Sequence, residues 1–162
     1  MLFPYINYGI FSLDLPLETL GAVRYTSCMD TDLRYYEDFT ELKEKLDTLR
    51  SAGKKIVLTQ GVYDLIHIGH AQYLEKARSY GDVLVVGIDS DALTKKRKGE
   101  GRPIVPQHER ISMLLHLRAV DIVALRDVDQ ELETLIKTIR PDVYIASEST
   151  KDFTVDEELA SF

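Results

Sequence analysis

The chain has 162 residues, 44% of them hydrophobic and 29% charged, with a formal net charge of −7. That suits one globular domain with a core and short extensions, and the acidic balance disfavours a nucleic-acid or anionic-membrane partner. The single cysteine, Cys28, excludes an internal disulfide and fits a reducing compartment.

No apolar run approaches the roughly 20 residues needed to cross a bilayer. The apolar opening, Met1 to Leu13, has no basic residue before it and holds Pro4, so it does not read as a signal peptide. The expectation is a cytoplasmic protein with no membrane and no nucleic-acid partner. Residues 1–36 are punctuated by Pro4, Gly9, Pro16 and Gly21 and carry no sustained period. They are rich in Phe, Tyr, Leu and Ile, and read as an irregular apolar extension packing on the domain or on a second subunit, which favours a homodimer.

From Asp38 the pattern becomes regular. Phe39, Leu42, Leu46 and Leu49 recur at helical spacing and Gly53 follows as a stop. Ile56 to Leu58 reads as a buried strand, Gly69 to Tyr80 as a helix with Ala71, Leu74 and Ala77 on one face, and Val83 to Ile88 as a second strand. A polar, Lys-rich stretch from Asp89 to Arg102 reads as a loop. Pro106 opens a helix burying Ile111, Leu114 and Leu115, and Ile122 to Leu125 is a third strand. Leu132, Leu135, Ile136 and Ile139 mark a further helix, Pro141 stops it, and Val143 to Ala146 is the last strand.

Short apolar strands alternating with helices predict an α/β fold with a doubly wound parallel sheet. Ligands of such sheets sit at the carboxyl ends of the strands near a topological switch point. The loops after Leu58, Ile88, Leu125 and Ala146 are therefore the places for a site.

The first of these loops carries the most chemistry. It runs Thr59, Gln60, Gly61, Val62, Tyr63, Asp64, Leu65, Ile66, His67, Ile68, Gly69, His70. His67 and His70 share a helix face at the first turn, where free N–H groups and the dipole favour an anion. Two imidazoles there can donate to phosphate oxygens. A zinc site would need more ligands, and neither a nearby cysteine nor an intervening glutamate is present, so no metal held by the protein is expected. The basic run Lys95, Lys96, Arg97, Lys98, Gly99, Glu100, Gly101, Arg102 follows the second strand, and a mobile loop there can close over a triphosphate. Arg110 and Arg118, eight apart, are expected on one helix face, where they either pair with Glu109 or Asp121 or clamp phosphates.

Together these residues resemble the cytidylyltransferase-like nucleotidyltransferases. That family carries Thr-x-Gly-x-Phe-Asp leading into His-x-Gly-His. The matching residues are Thr59, Gly61, Tyr63 in place of the Phe, Asp64, His67, Gly69 and His70. Lys98, Glu109, Arg110, Arg118 and Asp121 match further pieces, and the resemblance covers about residues 38–146. Within the family the chain looks most like bacterial heptose-1-phosphate adenylyltransferases, through Gly53, Lys54, Lys55 and through Lys98, Gly99, Gly101, Arg102, Pro103, Ile104. Glycerol-3-phosphate cytidylyltransferases are the runner-up.

The resemblance implies a nucleoside triphosphate and a small phosphorylated acceptor as partners. An acceptor phosphate oxygen attacks the α-phosphorus in line, pyrophosphate leaves, and Mg²⁺ assists as the cofactor of the nucleotide. It implies His67, His70 and Lys98 as catalytic residues. Thr59, Gly61, Val62, Tyr63, Gly69, Lys96, Arg110, Arg118 and Asp121 would lie on the nucleotide side, and Asp64, Glu148 and Ser149 on the acceptor side. Two departures stand out. Ser147, Glu148, Ser149, Thr150 replace the family's Gly-Asp piece after the last strand, and a later Ser-Thr-Thr segment is missing from a domain placed at residues 37–162. These departures keep a second expectation in play, a nucleotide-binding module without turnover.

Overall fold

The structure, a computed structural model, describes residues 34–146. Expectations about Cys28, Glu148 and Ser149, about most of the 1–36 extension and about the carboxyl-terminal segment fall outside these residues. The elements are β1 (Tyr35–Tyr36), α1 (Phe39–Ser51), β2 (Ile56–Gly61), α2 (Ile68–Arg78), β3 (Val83–Asp89), α3 (Asp91–Lys98), α4 (Gln107–His116), β4 (Ile122–Arg126), α5 (Leu132–Ile139) and β5 (Val143–Ile145).

All five strands pair in parallel, in the order β1-β4-β3-β2-β5. The chain steps outward from β2 to β3 to β4, then returns to place β5 on the free side of β2. This reversal is the switch point of a doubly wound sheet, and it lies between the carboxyl ends of β2 and β5.

Strand alternation divides the core into two layers. Val57, Leu84, Val86, Ile88, Val123 and Leu125 face α2 and α4, where Leu74, Ala77, Ile111, Leu114 and Leu115 meet them. Ile56, Leu58, Val83, Val85, Ile122 and Ala124 face α1 and α5, packing on Leu42, Leu46, Leu132, Leu135, Ile136 and Ile139. Each fully buried Leu or Ile contributes about 1.5–3 kcal/mol relative to exposure. Both layers are continuous, so the sheet is a rigid base for the loops at its edge.

Local signals set the helix boundaries. Asp38 caps α1 by accepting from the Thr40 amide at 2.6 Å, and Gly53 closes the turn after it with φ of 75°. No helix among the described residues is long and apolar enough to cross a membrane.

Three readings of the sequence are corrected here. The basic stretch after β3 is not a loop throughout, because residues 91–98 form α3. Ser90 caps it by accepting from the Leu93 amide at 3.0 Å, Asp91 sits in the first turn and Lys95 to Lys98 in the last. Those charges complement the helix dipole at both ends. Tyr35 and Tyr36, assigned to the irregular extension, pair with Val123 and Ala124 and belong to the sheet. Finally, α4 ends at His116, and the extended Leu117 (ψ of 124°) takes Arg118 off the helix, so it does not share a helix face with Arg110.

Candidate functional site

A cleft of about 680 Å³ opens at the carboxyl ends of β2 and β3, between the loop leading into α2 and the end of α3. One side is built by the start of α2. His67 is its N-cap, with φ of −139°, and its Nδ1 accepts from the Gly69 amide at 3.1 Å. The His67 amide in turn approaches the Nδ1 of His70, at a long 3.4 Å. Both rings thus turn Nδ1 toward the backbone of their own helix, which places the proton of the neutral imidazole on Nε2. The ring centroids are 4.2 Å apart. Burial, and then the neighbouring His67, lower the pKa of His70 from its ordinary 6.5. His70 is therefore a neutral hydrogen-bond donor at pH 7.

Gly69 is required by this packing. A Cβ added there would stand 2.9 Å from the Cε1 of His67. The absence of a side chain at Gly69 leaves room for the His67 ring. Tyr63 supports the ring of His70 from beneath, edge-on at 5.8 Å, and is itself buried. Burial pushes its phenol well above the ordinary value, so it stays neutral. Tyr63 and Leu65 both hold positive φ, 53° and 51°, which folds the loop tightly between β2 and α2.

The other side of the cleft comes from α3 and the segment after it. Arg97, Lys98 and Arg102 line it, and Asp64 is the only acid lining it among the described residues. Asp64 is already engaged. Its carboxylate accepts from the amides of Ile104 and Val105 and from Arg102 at 2.7 Å. Burial pushes the Asp64 carboxyl up, but the amides of Val105 and Ile104 and the Arg102 guanidinium outweigh it and hold the pKa at about 2. Among the described residues the cleft therefore presents cations and N–H donors, with the Asp64 carboxylate turned to the loop.

Sequence reasoning named many of these residues. Gly61, Val62, Tyr63, Asp64, His67, Gly69, His70 and Lys98 all line the cleft. Others lie elsewhere. Thr59 is fully buried, and its hydroxyl shares a hydrogen bond with the Tyr73 hydroxyl at 2.7 Å and donates to the Ile145 carbonyl at 2.9 Å. It ties β2 to β5 and α2 at the switch point. Lys96 is not among the residues lining the cleft.

Arg110 lies under the cleft, 1% exposed. Its guanidinium donates to the carbonyls of Val105, Val62 and Asp89 and to the Asp91 carboxylate at 2.9, 2.5, 2.9 and 2.7 Å. It is a clip between three loops, with its guanidinium engaged by protein groups. Arg118 and Asp121 precede β4, and Asp121 lies at the amino ends of β3 and β4, opposite the cleft. Arg118 pairs with Glu75 at 2.8 Å, while Asp121 pairs with Arg78 at 2.7 Å and accepts from the Leu84 amide. The reading of both as nucleotide-side residues is not met by this placement.

Sequence reasoning missed a buried polar group behind the cleft. Asp89 ends β3 and Arg126 ends β4, 0% and 4% exposed, with Gln60 beside them on β2. The Asp89 carboxylate accepts from Arg126 at 2.8 Å, from Gln60 at 3.0 Å and from Arg97 at 2.5 Å. The available signal was a charged residue closing each of two otherwise apolar strands.

Comparison with known proteins bears on this geometry. The family model described as cytidylyltransferase-like matches residues 58–162. The bifunctional protein HldE of a Nitratiruptor species is 44% identical over 111 residues, which is 68% of this chain and 24% of that protein. Its counterpart in Geobacter metallireducens is 40% identical over 130 residues, 80% of this chain and 26% of that protein. The chain thus spans about a quarter of the length of these relatives. Two solved structures share the fold. The lipopolysaccharide core biosynthesis protein of Thermoplasma volcanium has a TM-score of 0.54 at 24% identity, covering 67% of this chain and 90% of that one. The pantoate-beta-alanine ligase of Francisella tularensis has a TM-score of 0.56 at 15% identity, covering 78% of this chain and 61% of that one.

Proposed function

The chain belongs to the cytidylyltransferase-like family, and from that premise we propose that it transfers a nucleoside monophosphate, AMP from ATP, to a sugar phosphate or similar small phosphorylated acceptor. The observation that carries the reading is the pair His67 and His70, whose Nδ1 atoms are engaged with the start of α2 in a cleft also lined by Arg97, Lys98 and Arg102. The sequence resemblance to heptose-1-phosphate adenylyltransferases favours ATP and a sugar phosphate.

In this reading an acceptor phosphate oxygen forms a bond to the α-phosphorus of the triphosphate. The bond from that phosphorus to the β-phosphate oxygen breaks, and pyrophosphate leaves with the electron pair. The imidazoles donate from Nε2 to the oxygens on which charge grows, and the free amides at the start of α2 add to the same field. Lys98 and its neighbours neutralise the chain of phosphates. No proton needs to be removed from a phosphate dianion, so the site works by holding and by electrostatics.

The donor set does not fit a Mg²⁺ held by the protein. The carboxylates of Asp64 and Asp89 are engaged by amides, guanidiniums and Gln60, and no group of three or more potential ligands clusters among the described residues. We therefore place Mg²⁺ on the triphosphate, as part of the substrate. A homodimer remains part of the proposal, and light scattering tests it.

The decisive assay is pyrophosphate release with ATP or CTP against a panel of sugar phosphates and glycerol 3-phosphate. Turnover with ATP and a sugar phosphate is expected. Tight nucleotide binding without turnover on any pair would leave a binding module and overturn the enzyme reading. A larger thermal stabilisation by CTP than by ATP at equal concentration would reverse the choice of base.

A further inference from the structure

We propose that Tyr63 is the positioning residue of His70: its ring, seated over Gly61 and tied at its hydroxyl to Thr59, fixes the angle of the imidazole in the cleft. This rests on the nucleotidyltransferase reading and gives Tyr63 a part in it other than contact with the nucleotide.

The two histidines are not held alike. His67 is fixed by the hydrogen bond from the Gly69 amide at 3.1 Å. The His70 ring has the His67 amide at 3.4 Å, too long to set an orientation alone. Its angle is therefore set by the rings packed against it. His67 is one, at 4.2 Å and 52°, but that residue is exposed. Tyr63 is the other, at 5.8 Å and 61°, and it is buried, at 6% exposure. The pair meets edge to face, a contact whose energy depends on angle. Of the two neighbours, Tyr63 is the one that cannot swing away.

Tyr63 is itself held in three ways. A Cβ on Gly61 would meet its Cε2 at 3.1 Å, so the missing side chain at Gly61 is the seat of the ring. Its phenol hydrogen-bonds the Thr59 hydroxyl. That hydroxyl lies 2.7 Å from the Tyr73 phenol and donates to the Ile145 carbonyl at 2.9 Å. One hydroxyl, with one proton and two lone pairs, thus serves three neighbours and ties Tyr63 to α2 and to the end of β5. Finally, the Tyr63 backbone holds φ of 53°, which a bulky residue keeps where its surroundings over-determine it. Strain of this kind collects at working sites.

The test is pyrophosphate release by the full chain from ATP with glucose 1-phosphate, mannose 1-phosphate or glycerol 3-phosphate. Calorimetric titration with a non-hydrolysable ATP analogue and a melt accompany each variant. Tyr63→Leu is expected to lower kcat about tenfold or more, while the Kd of the ATP analogue changes less than about threefold. Tyr63→Phe keeps the ring and should stay within about fivefold of wild type. In a His70→Ala background, Tyr63→Leu should cost less than about twofold more, because no imidazole is left to position. Proton NMR of the free protein gives a second readout. The His70 pKa should move up toward 6.5 in Tyr63→Leu, as the imidazole opens to water, and stay in place in Tyr63→Phe. If Tyr63→Leu does not fold, Gly61→Ala, whose methyl presses on the ring, takes its place with the same expectations. Unchanged kcat, an equal loss with and without His70, or a loss of nucleotide affinity of about tenfold would each overturn the proposal. No pyrophosphate from the wild type with any acceptor would instead remove the nucleotidyl reading. The NMR titration then decides the placement of His70 by itself, and an unmoved pKa in Tyr63→Leu would overturn it.

Discussion

His67 and His70 hold their rings 4.2 Å apart with both Nδ1 atoms turned to the helix they begin. The same two side chains thus start a helix and direct their remaining nitrogens away from it. The two roles separate by mutation. Serine is a good N-cap and supplies no imidazole donor. His67→Ser should keep the thermal midpoint within a few degrees of wild type while lowering kcat about 10²–10³-fold, the usual cost of losing one donor to a developing charge. Pyrophosphate release and a melt on the same sample check this, and wild-type turnover in His67→Ser would remove His67 from the chemistry.

Gly69 tests the same arrangement from the other side. A methyl there meets the Cε1 of His67 at 2.9 Å, and that atom belongs to a side chain able to swing. Alanine also favours a helix over glycine by about 1 kcal/mol. Gly69→Ala should therefore leave stability close to wild type, the helix gain being offset by a weakened His67 cap, while displacing the His67 ring, and a displacement near 1 Å costs on the order of 10²-fold in rate. A variant as active as wild type would show that the position of the ring is not critical.

The titration of His70 is a third expectation. Burial disfavours its charged form, and the neighbouring His67 adds to this, so its pKa lies below 6.5. Proton NMR titration of the free protein should place it there, and His67→Ala should move it part of the way back up. Because the folded pKa is the lower one, His70 opposes folding as pH falls through its unfolded value and below. Saturating inorganic tripolyphosphate should raise the pKa. A value above 6.5 in the free protein would contradict this placement of His70.

Much of this was legible in the sequence because the apolar runs Ile56 to Leu58 and Val83 to Ile88 can be little else than buried strands, and because His67, Gly69 and His70 follow the first at a turn. What escaped notice has physical reasons. α3 is polar over most of its length, so hydrophobic period does not reveal it, and only its cap and the sign of its end charges do. Arg118 was misplaced because periodicity was carried past His116, where the helix stops for lack of a further turn to pack. Arg110 invited a phosphate role because guanidinium suits phosphate, yet buried carbonyls and an Asp carboxylate suit it equally. Asp89 and Arg126 escaped because their partnership spans two strand ends 37 residues apart.

Asp64 makes a prediction about acid. Its folded pKa, about 2, lies below the ordinary 3.8, so it stabilises the fold above pH 4 and loses that contribution as pH falls toward 2. The difference amounts to at most about 2.5 kcal/mol. Asp64→Asn should lower stability at pH 7 and flatten its decline between pH 4 and 2, measured by urea unfolding at each pH. Parallel curves for the two proteins would mean that Asp64 does not fix the segment at residues 102–105.

Arg110 carries the last expectation, and it separates a structural from a ligand role. Its guanidinium joins the carbonyls of Val62, Val105 and Asp89 with the carboxylate of Asp91. Removing it strands those acceptors in a buried place and leaves Asp91 without its partner. Asp91 is 35% exposed and can turn to water, so the loss comes mainly from the stranded buried carbonyls, at about 1–3 kcal/mol. Arg110→Met should therefore lower the urea midpoint sharply, and Arg110→Lys should restore little, since one ammonium cannot span four acceptors in different directions. The folded fraction of either variant should bind the ATP analogue with a Kd within a few fold of wild type. A loss of nucleotide affinity of tenfold or more at unchanged stability would place Arg110 at the phosphates and contradict its position beneath the cleft.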